Sequence, residues 1–436
     1  MNEQSTSYTL APGGRLQGRI RVPGDKSISH RAIMLGALAE GVTRVSGFLM
    51  GADNLATLEA FRAMGVRIDG PRSGELSIHG VGMHGLRAPA APLDLGNSGT
   101  AMRLLSGLLA AQRFDSVLQG DESLNGRPMR RVVEPLSRMG AQVDAQSGGT
   151  PPLHIRGGAD LHGIDYPMPV ASAQVKSCLL LAGLYAQGET CVSEPAPTRD
   201  HTERMLTGFG YPVQRDGARV CLRGGGRLTA RDIDVPADIS SAAFFLVGAS
   251  IAAGSDLTLE HVGVNPTRTG VIHILREMGA DIELLNQREV GGEPVADIRV
   301  RSAPLHGIRI PEAQVPLAID EFPALFVAAA CAEGETVLTG ARELRVKESD
   351  RIQVMADGLQ VLGIEARPTE DGMVIRGGRV GGGGVDSCGD HRIAMSFAVA
   401  ALRAGAPIRI ADCANVETSF PGFVELAAAA GLQISG

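Results

Sequence analysis

Pro23-Gly24-Asp25-Lys26-Ser27-Ile28-Ser29-His30-Arg31 runs on into Ile33-Met34-Leu35-Gly36-Ala37-Leu38-Ala39. The first part follows a short strand, Arg19-Ile20-Arg21-Val22, and opens a helix. The second carries almost no polar face, and a helix apolar on every side is buried. A helix start presents unpaired backbone N–H groups and partial positive charge, so Lys26 and Arg31 beside it make an anion site. It is not a Walker loop, because the Gly-x-x-x-x-Gly-Lys spacing is missing. The chain therefore opens on a buried helix whose start invites an anion.

The same pattern returns along the sequence. Apolar helices begin near Ser27, Ser98, Ser172, Ser240, Asp320 and Asp390, at spacings of 68 to 80 residues. Each is followed by a short β run, a polar loop and a second helix. The second helices end at Met64-Gly65, Met139-Gly140, Phe209-Gly210, Met278-Gly279, Leu362-Gly363 and Ala430-Gly431. Ser or Asp at a helix start accepts an orphan N–H, and Gly after a helix permits a left-handed cap. The second helices are amphipathic, as in Arg130–Met139, and are expected to face solvent. Buried helices with strands outside them invert the usual α/β layering. Six units divide into two domains of three, with Val235-Pro236-Ala237-Asp238 as the boundary.

Composition agrees with a large two-domain protein of 436 residues. Glycine, 57 residues, is near double the usual ~7% and falls singly between apolar runs, the signature of tight turns. A net charge of -7 and no Trp disfavour a nucleic-acid surface, so the cations act in a pocket. The N-terminus lacks the features of a signal peptide, and no apolar run is long enough to span a membrane. The six cysteines, Cys178, Cys191, Cys221, Cys331, Cys388 and Cys413, form no metal-type spacing and read as small core residues in a reducing cytoplasm. No metal is implied.

The polar residues collect at equivalent places of the units: the starts of the buried helices, and the loops that supply Arg127, Arg199, Arg268 and Arg345–Arg351. Six helix starts and as many cations aimed at one interdomain cleft suit more than one phosphate or carboxylate. Asp320 and Glu348 stand among these cations and fit a general base and general acid. No Ser-His-Asp order and no activated Cys point to covalent catalysis.

These motifs resemble the enolpyruvyl transferases, and the resemblance covers the whole chain. It is carried by Pro23–Arg31, Gly96–Arg103, Arg127-Pro128-Met129, Ser172–Lys176, Arg199–Glu203, Asn265–Arg268, Ile319-Asp320-Glu321, Lys347–Arg351 and Asp390-His391-Arg392, several in their class II form. The resemblance implies a two-domain inverse α/β barrel of six βαβαββ repeats with buried parallel helices. Residues 1–22 plus 238–436 form one domain of three repeats and 23–237 the other. It implies transfer of the enolpyruvyl group of phosphoenolpyruvate to the 5-hydroxyl of 3-phosphoshikimate, releasing phosphate, by a cytoplasmic monomer with no cofactor. By the same resemblance, Lys26, Ser27, Arg31, Ser172, Ala173, Gln174, Arg199, Asp320 and Lys347 bind 3-phosphoshikimate. Lys26, Gly99, Arg127, Gln174, Arg351 and Arg392 bind phosphoenolpyruvate. Asp320 takes the hydroxyl proton, and Glu348 with Lys26 moves the methylene proton.

Other members often place a Lys just before the Thr/Ser-Phe-Pro of the last loop, where this chain has Glu417-Thr418-Ser419-Phe420-Pro421. The sister activity on UDP-N-acetylglucosamine is the nearest alternative. Its loop Cys is replaced here by Glu122, five residues before Arg127, and its Lys-Asn by Lys26-Ser27. A non-catalytic binder of phosphorylated metabolites is the alternative from another class, and the acids among the cations count against it.

Overall fold

The computed structural model describes residues 6–436 of a mixed α/β protein with two compact units. One unit comprises the chain through Pro23, Pro236–Glu289 and Pro294–Gly436; the other comprises Gly24–Val235 with Val290–Glu293. Each has its own apolar core.

In the Gly24–Val235 unit the core is built from three helices, Lys26–Leu38, Gly99–Leu109 and Ala173–Gly183. Lys26–Leu38 is buried without a break from Ile28 onward. The helices approach closely: a Cβ on Gly107 would stand 2.1 Å from the carbonyl oxygen of Cys178. The corner before the first helix is equally tight. A Cβ on Gly24 would fall 1.8 Å from the oxygen of Gly47, so glycine is required where strand turns into helix. The other unit centres on Ile239–Ile251, Phe322–Cys331 and His391–Ala400, and every residue of Ile239–Ile251 is buried.

Among the described residues six small sheets flank these helices; five share one four-stranded order, and the sixth has three strands. In the Gly24–Val235 unit, Ile233–Asp234 pairs parallel with Glu40–Ser46, which continues antiparallel into Glu75–Val81 and Arg67–Arg72. Leu93–Asp94 and Asp165–Pro167 play the same parallel-edge part in the two other sheets of that unit. In the second unit the parallel edges are Gln17–Ile20 and Gly383–Asp386. Beside the sheet built on Glu335–Leu338 the edge shrinks to isolated parallel bridges, His306 to Glu333 and Arg309 to Val337. The second helices lie half exposed. Arg130–Arg138 buries only Val132, Pro135 and Leu136. Gly65 and Gly279 follow two of them at φ 88° and 98°, the left-handed values a C-cap glycine takes.

Helix starts differ in detail from the sequence expectation. Asp25, not Ser27, caps Lys26–Leu38, its carboxylate accepting from Ile28 N at 2.8 Å. Asp238, not Ser240, caps Ile239–Ile251 by accepting from Ser240 N. Phe322–Cys331 has Glu321 at its cap position with no side-chain cap bond, and Asp320 is drawn to other partners.

The cysteines need a larger correction. Cys178, Cys191, Cys221 and Cys413 are buried as expected, but Cys191 and Cys221 are bonded to each other and Cys388 is exposed. Antiparallel pairing of Glu189–Ser193 with Arg219–Arg223 sets those two cysteines directly opposite, a register that spacing does not reveal. Among the described residues no helix is long and apolar enough to cross a membrane.

Candidate active site

The Pro236–Gly436 part carries a cluster built around one guanidinium. Arg351 opens the helix Arg351–Val361 and is 1% exposed. Its Nε donates to Asp390 Oδ2 at 2.8 Å, its Nη2 to Glu348 Oε2 at 2.6 Å, and its Nη1 to Asp320 Oδ1 at 3.3 Å. Burial alone would lower its pKa, but the charges of Asp390, Glu348 and Asp320 outweigh burial and raise it above the ordinary arginine value. Asp390 does two tasks, capping His391–Ala400 through Arg392 N at 2.9 Å while anchoring Arg351. Lys347 Nζ stands 3.5 Å from Asp320 Oδ1, and Arg392 Nη1 donates to the Asp320 backbone oxygen at 3.1 Å. Five expected site residues, Asp320, Lys347, Glu348, Arg351 and Arg392, thus meet in one place. The paired acids keep some access to solvent, the side chain of Glu348 at 31% and that of Asp320 at 15%.

A neighbouring network holds the start of Ile239–Ile251. Buried Arg268 donates from Nη2 to Asp238 Oδ1 at 3.0 Å and to Ser240 Oγ at 2.7 Å, and Ser240 Oγ bonds Glu321. The last loop folds as a 3-10 turn, Ala414–Thr418, with Glu417 exposed. Asn415 Nδ2 donates to the Gly389 oxygen at 2.7 Å, tying that loop to the turn before His391.

In the Gly24–Val235 unit, Lys26 Nζ pairs with Asp53 Oδ2 at 2.5 Å. Arg31 is 4% exposed and tightly tethered. Its Nε donates to Thr202 Oγ1 at 2.7 Å, Nη2 to Ser177 Oγ at 2.8 Å and Nη1 to the Ser27 oxygen at 2.9 Å. Burial pushes its pKa down to about 10, partly offset by Glu203 and Asp25, with Arg199 adding to the fall. Arg31 is cationic at neutral pH. Beside it His30 is wholly buried; burial, then the charges of Lys26 and Arg31, hold it well below the usual histidine range, so it is neutral.

Two starts of buried helices supply the rest. Ser98 caps Gly99–Leu109 through Ala101 N, and Ser172 caps Ala173–Gly183 through Val175 N. Arg127 Nη2 donates to Asn97 Oδ1 at 2.6 Å. A Cβ on Gly99 would stand 3.0 Å from Arg103 Nη1 and 3.3 Å from Arg127 Nη1, so two guanidinium groups close on that glycine. Gln174 bridges Arg103 and Thr100. Behind it Lys176, fully buried, lies 3.0 Å from Glu194 and 2.7 Å from Glu203. Those acids sit on either side of Arg199 in sequence, so Lys176 links the Ser172–Lys176 motif to the Arg199 loop.

Residues that motif reading left out of the site are Arg103, Asp53 and Asp390. Arg103 and Asp390 lie inside quoted motifs, whereas nothing around Asp53 marks it. Free thiols do not compete for the chemistry: burial pushes Cys178 and Cys331 up to about 12 and Cys413 to about 11. Among the described residues one trio has metal-ligand types, Glu189, Cys191 and Cys221, and its two sulfurs are committed to each other.

Comparison with known proteins adds the family. The model of EPSP synthase (3-phosphoshikimate 1-carboxyvinyltransferase) matches residues 10–426. A 3-phosphoshikimate 1-carboxyvinyltransferase from Methylococcus capsulatus is 74% identical over 434 residues, covering 100% of this chain and 99% of its own length. One from Alkalilimnicola ehrlichii is 73% identical over 98% of this chain and 96% of its own. The solved EPSP synthase of Acinetobacter baumannii superposes with a TM-score of 0.90 at 61% identity, covering 98% of this chain and 99% of that one. The enolpyruvyl transferase NikO from Streptomyces tendae gives a TM-score of 0.77 at 16% identity over 99% of each chain, a likeness of fold.

Proposed function

Because this chain belongs to the EPSP synthase family, we propose that the two clusters above are the working parts of its reaction. The chain transfers the enolpyruvyl group of phosphoenolpyruvate to 3-phosphoshikimate and releases phosphate. The observation that carries this is the match over residues 10–426, a span that includes every motif from Lys26 to Arg392.

Ser27, Arg31, Ser172, Ala173, Gln174, Arg199 and Lys347, with Lys26, hold 3-phosphoshikimate. Lys26 and Arg127 hold the phosphate of phosphoenolpyruvate beside Gly99 and Gln174, while Arg351 and Arg392 take its carboxylate. Asp320, set between Lys347 and Arg351, accepts the proton of the 5-hydroxyl as that oxygen bonds to the central carbon of phosphoenolpyruvate. Glu348, with Lys26, gives a proton to the methylene carbon, forming a tetrahedral adduct. Loss of phosphate, which carries off the proton taken by Asp320, and return of a proton from the new methyl group to Glu348 give the enol ether and reset both acids. Arg351 Nη2 also donates to Glu348 Oε2, so this guanidinium would hold the substrate carboxylate close to the proposed acid. Lysine and arginine, not a metal, neutralise the anions.

The same proposal covers the finer architecture, six βαβαββ repeats as an inverse α/β barrel, supported by the strand order that five of the six described sheets share. It also covers a monomer acting in the cytoplasm. Asp320→Asn tests the assignment of the base. The amide keeps size and hydrogen-bonding capacity, so 3-phosphoshikimate still binds by calorimetry while kcat falls ~10²–10⁴-fold, the size of a general-base effect. Wild-type turnover would remove Asp320 from that role.

A further inference from the structure

Arg103 was given no role above, yet it fixes what its neighbour can do. Its Nη1 donates to Gln174 Oε1 at 2.6 Å, and Gln174 Nε2 donates to Thr100 Oγ1 at 3.1 Å. A guanidinium carries only donors, so the end of the Gln174 amide facing Arg103 has to be the carbonyl. The amide nitrogen then faces the other way, toward Thr100 at the start of Gly99–Leu109. Thr100 takes one of its two hydrogens, which leaves the second for a ligand. Arg103 is 9% exposed, and the bond runs from a cation to a neutral acceptor in a largely buried setting. Reversing the amide would set an N–H₂ group against the guanidinium and forfeit that bond.

Gly99 places this pair at an anion site. The Cβ it lacks would meet Arg103 Nη1 and Arg127 Nη1, so the locked amide, the glycine and a second guanidinium surround one spot. We propose that Arg103 is a positioning residue that holds Gln174 with its carbonyl turned away and its N–H presented to the phosphate of phosphoenolpyruvate. The inference rests on the reading of Gln174 as a ligand-binding residue. A phosphate offers acceptor oxygens, so an amide presenting N–H attracts it and one presenting C=O repels it. The ligand class favoured at this spot is an acceptor-only tetrahedral anion.

Steady-state kinetics of full-length variants test this with phosphoenolpyruvate varied at saturating 3-phosphoshikimate. Gln174→Glu keeps the Arg103 bond but has no N–H to offer. It raises the KM for phosphoenolpyruvate at least as far as Gln174→Ala, about tenfold or more, the loss expected for a hydrogen bond to a charged group. Arg103→Met raises that KM too, and Arg103→Lys, which keeps a donor, recovers much of the loss. In a Gln174→Ala background Arg103→Met adds less than threefold, because it acts through the missing amide. A wild-type KM for Gln174→Glu alongside a raised KM for Gln174→Ala overturns the amide orientation. A full additive effect of Arg103→Met in that background overturns positioning, since Arg103 would then touch the ligand itself. Wild-type KM values for both substrates in Gln174→Ala would instead sink the reading of Gln174 as a ligand. Should Arg103→Met fail to fold, Arg103→Lys and the two Gln174 variants still decide the orientation.

Discussion

Arg351 shows how a buried charge is made tolerable. At 1% exposure it would be costly alone, and three carboxylates from three different segments supply the compensation. One of them, Asp390, is itself wholly buried and serves as structure. Asp320 and Glu348 retain some access to solvent, as the proton-transfer roles proposed for them require. His30 is the opposite case, a buried base kept neutral with Nδ1 2.8 Å from Thr57 Oγ1. Below its ordinary pKa of 6.5 the unfolded chain binds a proton that the folded chain does not. Stability contributed by this group is therefore full above that pH and falls as pH drops, by up to ~1.4 kcal/mol per pH unit. His30→Asn, which can keep a bond to Thr57, should flatten that part of the decline in urea unfolding between pH 6.5 and 5. An unchanged slope would show that His30 is not the group responsible.

At the level of elements, the sequence was most readable where the determinants were local. Ser98, Ser172 and Asp390 cap the helices they were expected to open, because a short side chain reaching two or three residues ahead is a local event. Asp320 looked like another cap, but Lys347 and Arg351, far along the chain, claim its carboxylate. The Cys191–Cys221 bond and the lysine–aspartate pair at Lys26 and Asp53 were hidden for the same reason, since each depends on register or packing between distant segments. Motif likeness gathered the Arg351 cluster but passed over Arg103, whose bond to Gln174 spans two helices. Helix packing also makes a prediction. Gly107→Ala improves helix propensity by about 1 kcal/mol, yet its Cβ would sit 2.1 Å from the Cys178 oxygen. Overpacking of ~1–3 kcal/mol wins, so urea unfolding should show a less stable protein. A stabilised variant would mean that the two helices are free to separate.

For the whole molecule, an acidic chain with a net charge of -7 handles two anionic substrates. Charge is therefore local: Lys26, Arg127, Arg351 and Arg392 stand at or near helix starts, where backbone N–H groups add to their field. On the reading proposed here such cations take the place of a metal, so dialysis against a strong chelator should leave kcat within about twofold of its starting value. The most direct measurement is phosphate release by that chelator-treated protein, given phosphoenolpyruvate with either 3-phosphoshikimate or UDP-N-acetylglucosamine. Release with 3-phosphoshikimate alone, one phosphate for each enol ether formed, is the predicted result. Release only with UDP-N-acetylglucosamine, or only after a divalent cation is restored, would contradict the account.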